Sequence, residues 1–114
     1  MVGVGWYYRE VRWAVYSVRG PIEPISDVFI ERDRVKVVVD LPGTRKEDVN
    51  LLVREDAVFL EARANVGGNP VTYRKLIRLP VEVDPDGARA TMRSGMLIVE
   101  APIKRPQFRR IGVE

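Results

Sequence analysis

Few side chains in this sequence can do covalent or acid–base chemistry, and their spacing is that of turns. Carboxylates pair at Glu55-Asp56 and at Asp84/Asp86. Two carboxylates that close suit hydrolysis or a divalent cation only when a pocket and further ligands surround them. Here both pairs stand between short apolar runs, the second with Pro85 and Gly87, where Asp serves the turn itself. The chain has no Cys and no His. Thiolate nucleophiles, disulfides, Ser-His-Asp and Cys-His relays and the usual imidazole metal ligands are therefore excluded. No GxxxxGK[ST] stretch occurs, so a phosphate-cradling loop is not supported. The remaining residues suit non-covalent binding, and the expectation is a protein that is no enzyme and needs no metal or cofactor.

Two apolar stretches could carry such binding. The first lies in residues 2–18 and holds Trp6, Tyr7, Tyr8, Trp13 and Tyr16, five of the nine aromatic residues. Val4, Tyr8, Val11, Val15 and Val18 recur at spacings of four, three, four and three, an amphipathic helical stripe. Gly20-Pro21 and Pro24 end it. No basic region precedes the stretch, and Arg9, Glu10 and Arg12 interrupt it, so it reads as neither signal peptide nor membrane span. The default expectation is a soluble cytoplasmic protein. Three readings of the arm are open: a helix packed on the body, a membrane-surface anchor, or a sticky arm for unfolded clients. Self-association or client binding, carried by Trp6, Tyr8, Val11, Trp13 and Val15, is preferred, because a large apolar arm without a domain of its own tends to associate with something. The second stretch is Ile111-Gly112-Val113 near the C-terminus. An extended backbone points Ile111 and Val113 to one side, while Gly112 lets the chain lie close to a sheet edge.

Between these ends the sequence reads as short strands. A chain of 114 residues, 46% hydrophobic and 31% charged, supports one domain with a core. Runs are expected at residues 28–30, 34–41, 49–54, 57–63, 72–79, 88–93 and 96–101, with apolar residues alternating on one face in the runs at 34–41, 49–54, 57–63 and 88–93. Thr44 and Glu47 have capping-box spacing and predict one helical turn over 44–48. Glu55-Asp56 is a hairpin-length loop, Gly67-Gly68-Asn69-Pro70 a turn, Asp84-Pro85-Asp86-Gly87 a type I turn, and Ser94-Gly95 joins the last pair. Seven strands with no room for crossover helices predict an all-β, antiparallel, immunoglobulin-like β-sandwich. The expected division is an arm over 1–24, helical or flexible, a sandwich over 25–101, and an extended tail over 102–114. Charge fits this plan. The net charge is +3, yet residues 25–100 hold twelve basic and thirteen acidic groups, so the body is not basic. Fifteen Arg, one Gln and three Asn suit a protein from a hot environment.

The order of landmarks resembles a known family. Asp40-Leu41-Pro42-Gly43 followed by Lys46-Glu47-Asp48-Val49 resembles a strand end and turn of the α-crystallin domain. Arg78-Leu79-Pro80 with Asp84-Pro85, then Ala90 with Ser94-Gly95-Met96-Leu97, resemble its later landmarks, and Ile111-Gly112-Val113 its I-x-I/V anchor. Over about residues 25–113 the chain looks like a small heat-shock protein of prokaryotic type. The resemblance implies an ATP-independent holdase chaperone that works as a homo-oligomer with unfolded clients as partners, while the non-basic body and the charge-interrupted arm argue against nucleic acid and membrane as partners. It implies that Ile111 and Val113 anchor subunits in a groove formed by Val49, Leu51, Val53, Ala88, Ala90 and Met92. From alternation alone, groove and sandwich core suit Leu51 and Val53 equally, whereas the small Ala88 and Ala90 leave space for a guest. One departure concerns the dimer. Family members of this type carry a long loop with a subunit-exchanged strand, where this chain has only residues 64–71. A CS-domain-like monomeric co-chaperone shares the sandwich and lacks that loop, but is not expected to carry the anchor. A single-stranded nucleic-acid binder would stack bases on aromatics, yet here these cluster in the arm.

Overall fold

A computed structural model describes residues 20–104 and 110–114. The expected helical stripe, and with it Trp6, Tyr8, Val11, Trp13 and Val15, lies outside the described residues.

Two antiparallel sheets form the body. One has the order β1 (Ser26–Ile30), β2 (Arg34–Asp40), β7 (Met96–Pro102), β6 (Arg89–Arg93). The other has the order β3 (Thr44–Arg54), β4 (Ala57–Val66), β5 (Asn69–Arg78). The all-β sandwich expected from alternation is what forms. Val35, Val37 and Val39 on β2 and Leu97, Val99 and Ala101 on β7 face inward and are buried. They meet Val58, Leu60 and Ala62 of β4 and Tyr73 and Ile77 of β5 in one core cluster. Full burial of a Val or Leu side chain stabilises by roughly 1.5–3 kcal/mol, so this period-two pattern is the main drive for the two layers.

The crossing from the first sheet to the second is a tight knot at Leu41-Pro42-Gly43. Leu41 is fully buried, and its N–H donates to the Gly95 carbonyl at 2.7 Å. Its own carbonyl accepts from Thr44 N at 3.1 Å, and Gly43 has φ +79°, the left-handed value of a type II turn. The Pro42 carbonyl accepts from the Tyr73 hydroxyl at 3.0 Å. One turn thus ties the β6–β7 hairpin, β5 and the start of β3 together.

Residues 44–48 are extended, not the helical turn that capping-box spacing predicts. Thr44 pairs with Ala64 of β4, and Asn65 N–H donates to the Gly43 carbonyl at 3.1 Å. These long-range bonds hold the backbone as strand, and the polar run is absorbed as a register shift between Thr44 and Val49. The short connection over 64–71 is the tip of the β4–β5 hairpin, where Val66 pairs with Asn69. Gly67 and Gly68 turn it with φ of +59° and +83°, the signs of a type I′ turn. Asp84-Pro85-Asp86-Gly87 tightens into a single 3-10 turn capped by the Asp84 carboxylate, which accepts from Asp86 N at 3.0 Å. The last pair is also shorter than expected at its start: Ala88 stands before β6, as the C-cap of that turn.

The sandwich begins to bind its own chain at Ile22, which forms a parallel bridge to Tyr73 on the free edge of β5. Ile22 N–H donates to the Thr72 carbonyl at 2.8 Å, and Arg74 N–H donates to the Ile22 carbonyl at 3.0 Å. Three residues later the Ile25 carbonyl accepts from Asp40 N at 2.9 Å, on the other sheet. Residues 22–25 therefore strap the two sheets together along one side.

Candidate functional site

The opposite side of the sandwich is formed by the edge strands β3 and β6, and it stays open. A groove of about 440 Å³ runs between them, lined by Lys46, Val49, Leu51, Ala90, Thr91, Met92, Arg93 and Leu97. Leu97, 3% exposed, is its floor, and Val49, Leu51 and Met92 are half-buried walls that also touch the core. Ala90 is exposed and leaves the gap. Of the six residues assigned to a groove by resemblance, the structure brings four together: Val49, Leu51, Ala90 and Met92. Val53 and Ala88 are partly buried against the core cluster and do not line the cleft.

Alternation missed the charged members. Counting back by twos from Val49 does not reach Lys46, but the register shift between Thr44 and Val49 brings this even-numbered residue to the groove. Arg93 is the last residue of β6, where an edge strand presents consecutive positions to the cleft. Among the described residues, the charges in the lining are thus two cations.

Ile111 and Val113 lie in a described segment without regular structure and are 75% and 97% exposed. Isolated apolar side chains on a surface are ordinary, but two at a two-residue spacing match the spacing of Leu51 and Val49, and of Ala90 and Met92.

The acidic pairs do structural work. Glu55 accepts from Lys104 Nζ at 2.6 Å, and this hydrogen bond holds the lysine above its ordinary pKa. Asp56 accepts from Arg54 Nε at 2.6 Å. Among the described residues no group of three or more acidic side chains is placed to hold a metal ion, and no helix is long and apolar enough to cross a membrane. A larger depression, about 650 Å³, lies on the outer face of the β3–β4–β5 sheet. Two of the charges that line it, Glu61 and Arg74, pair with each other, and Asp48 pairs with Arg45, as surface ion pairs do.

Comparison with known proteins bears on this geometry. Heat shock protein 16 of Schizosaccharomyces pombe is 28% identical over 100 residues, 75% of this chain and 70% of that protein. A 15.4 kDa class V heat shock protein of Arabidopsis thaliana is 35% identical over 79 residues, 64% of this chain and 58% of that protein. The chain spans only 43% of the chloroplastic small heat shock protein of Triticum aestivum. Among solved structures, heat shock protein 16.0 of S. pombe superposes with a TM-score of 0.67 at 23% identity, covering 87% of this chain and 80% of that one. A mutant of hsp14.1 from Sulfolobus superposes at 0.66 with 25% identity, covering 80% of each chain. The profile of the Hsp20/alpha crystallin family matches residues 27–114, which takes in both sheets, the groove and the Ile111–Val113 segment, and by that match the chain belongs to the Hsp20/alpha crystallin family of small heat-shock proteins.

Proposed function

We propose that the protein is a holdase chaperone that binds partly unfolded proteins without nucleotide and works as a homo-oligomer. In this reading Ile111 and Val113 of one subunit enter the β3–β6 groove of another, and the arm with Trp6, Tyr8, Val11, Trp13 and Val15 supplies contact to clients. The observation that carries it is the pairing of an open apolar groove with an exposed two-residue apolar motif of matching period on the same chain. Family membership supports the chaperone role.

Energetics decide what kind of link this is. Burying Ile111 and Val113 contributes roughly 1.5–3 kcal/mol each. Ordering the tail costs about 1–2 kcal/mol per fixed backbone residue. A single contact is weak, and several per assembly give avidity while each still opens. The test is the double change Ile111→Ala and Val113→Ala, with mass read by light scattering across dilution and client aggregation read without ATP. Smaller species with an intact β-sheet circular dichroism spectrum are expected. Wild-type mass in the variant removes the tail from the assembly, and wild-type protein that leaves client scattering unchanged at equimolar subunit removes the holdase reading.

A further inference from the structure

The two borders of the groove carry the same charge gradient. On the groove side of β3 the order is Lys46, Val49, Leu51, Val53 and then Glu55 in the following turn, whereas Glu47 and Asp48 line the depression on the outer face of that sheet. On the groove side of the other border, read against the chain, it is Arg93, Met92, Ala90, Ala88 and then Asp86 and Asp84 in the 3-10 turn, whereas Arg89 turns to a separate depression beside Glu100. One end of the groove is therefore cationic, with Lys46 and Arg93 in its lining. Past the other end, Glu55, Asp84 and Asp86 surround a depression of about 570 Å³ together with Lys104. Lys104 pairs with Glu55 at 2.6 Å, so Asp84 and Asp86 add negative charge beyond that pair.

The tail motif has a gradient of its own: Arg110 precedes Ile111, and Glu114 follows Val113. In extended backbone the two apolar side chains point one way and Arg110 and Glu114 the other, away from the groove floor, from where only their long side chains reach back to the charges at its two ends. We propose that the groove reads the direction of the tail. A second copy's tail lies with Ile111 between Leu51 and Ala90 and Val113 between Val49 and Met92. Glu114 then meets Lys46 and Arg93, and Arg110 faces Asp84 and Asp86. The reverse orientation fills the same apolar sites but places Glu114 at the acidic end and Arg110 at the cationic end. The apolar contacts alone are nearly symmetric about Gly112, so charge selects the direction. This rests on the tail-in-groove reading and adds specificity to it.

Rim pairs of this kind change a dissociation constant by about two- to five-fold each. The experiment uses the full chain and reads the subunit concentration at which the assembly is half dissociated. Glu114→Lys alone, and Lys46→Glu with Arg93→Glu, are each expected to raise that concentration several-fold. All three changes together are expected to return it to within about twofold of wild type, because the pair is restored with its signs exchanged. Salt at about 0.5 M, where screening acts within roughly 5 Å, is expected to bring the wild type and the reversed variants together. Circular dichroism checks that each variant is folded. Reversal of either side with no change in the midpoint, or a triple variant weaker than both parents, overturns the charge-read direction if Ile111→Ala with Val113→Ala still releases subunits. If that double variant keeps its wild-type mass, the tail reading falls and this inference falls with it.

Discussion

Gly43→Ala tests how much the close backbone approach in the turn between the sheets contributes to stability. Gly43 has φ +79°, and a Cβ added there would stand 2.3 Å from the Asn65 carbonyl oxygen and 3.1 Å from Val66 Cγ2. The first contact is with backbone, so it cannot be relieved by a rotamer change. Left-handed backbone costs a residue with a Cβ about 1–2 kcal/mol. Moving Asn65 away also loses its bond to the Gly43 carbonyl, worth about 0.5–1.5 kcal/mol. Together with residual overlap, a loss of about 3–4 kcal/mol is expected, a large part of the roughly 5–15 kcal/mol of a typical domain. For a body of this size that lowers the melting temperature by about 12–32 °C. Gly68→Ala is the matched control: its φ is +83°, and an added Cβ has nothing within 4 Å. The difference between the two variants isolates the close approach, about 2 kcal/mol at the centre of these ranges. Far-UV circular dichroism in a urea titration at fixed subunit concentration is the proper readout, since both tryptophans, Trp6 and Trp13, lie in the arm. Equal losses within about 0.5 kcal/mol, the usual precision of such differences, would refute the close approach.

Three further outcomes follow from single features. Thr44 is 8% exposed and its hydroxyl finds no partner among the described residues, so Thr44→Val is expected to stabilise the sandwich by about 1–2 kcal/mol, read in the same titration. Glu31 accepts from Arg34 and neighbours Lys36, and the Arg34 hydrogen bond holds its carboxyl below the ordinary range. Its contribution is therefore complete above about pH 4.3 and fades as pH falls through the lowered folded value, so amide protection at the β1–β2 turn, the exchange rate taken relative to the intrinsic rate at each pH, is expected to fall there in wild type but not in Glu31→Gln. Removal of residues 1–19 spares the Ile22 bridge, so the circular dichroism of the sandwich is expected to persist while client protection in a scattering assay drops.

Much of the sandwich was legible because its signal is local. Val35, Val37 and Val39, or Leu97, Val99 and Ala101, alternate without interruption, and burial follows that alternation. Residues 44–48 were misread because their polar composition and capping spacing are also local, while the constraint that makes them strand comes from Ala64 and Asn65, some twenty residues away. The Ile22 strap carries no periodic signal at all, being one bridging residue between two prolines. In the groove, Val49, Leu51, Ala90 and Met92 were legible from alternation together with family landmarks. Lys46 was hidden by the register shift, and Val53 and Ala88 share the alternating face but lie where the cleft has already closed on the core.

The two sides of the sandwich handle their edges differently, and the difference bears on what can bind. An open strand edge invites pairing along its length. On the β1–β5 side the chain occupies part of that edge itself, and Pro21 and Pro24 stop the strap from growing into a longer strand because neither has an N–H to donate. On the β3–β6 side nothing from residues 20–104 covers the cleft, yet long pairing is discouraged there too. The strand β6 has five residues, and β3 is irregular between Thr44 and Val49. What this side offers is an apolar slot two side-chain steps long with cations at one end. A guest strand of six or seven residues would gain few backbone bonds from such edges. A short segment with two apolar side chains flanking a glycine would not need them, which is why the proposed occupant is Ile111-Gly112-Val113 rather than a longer strand.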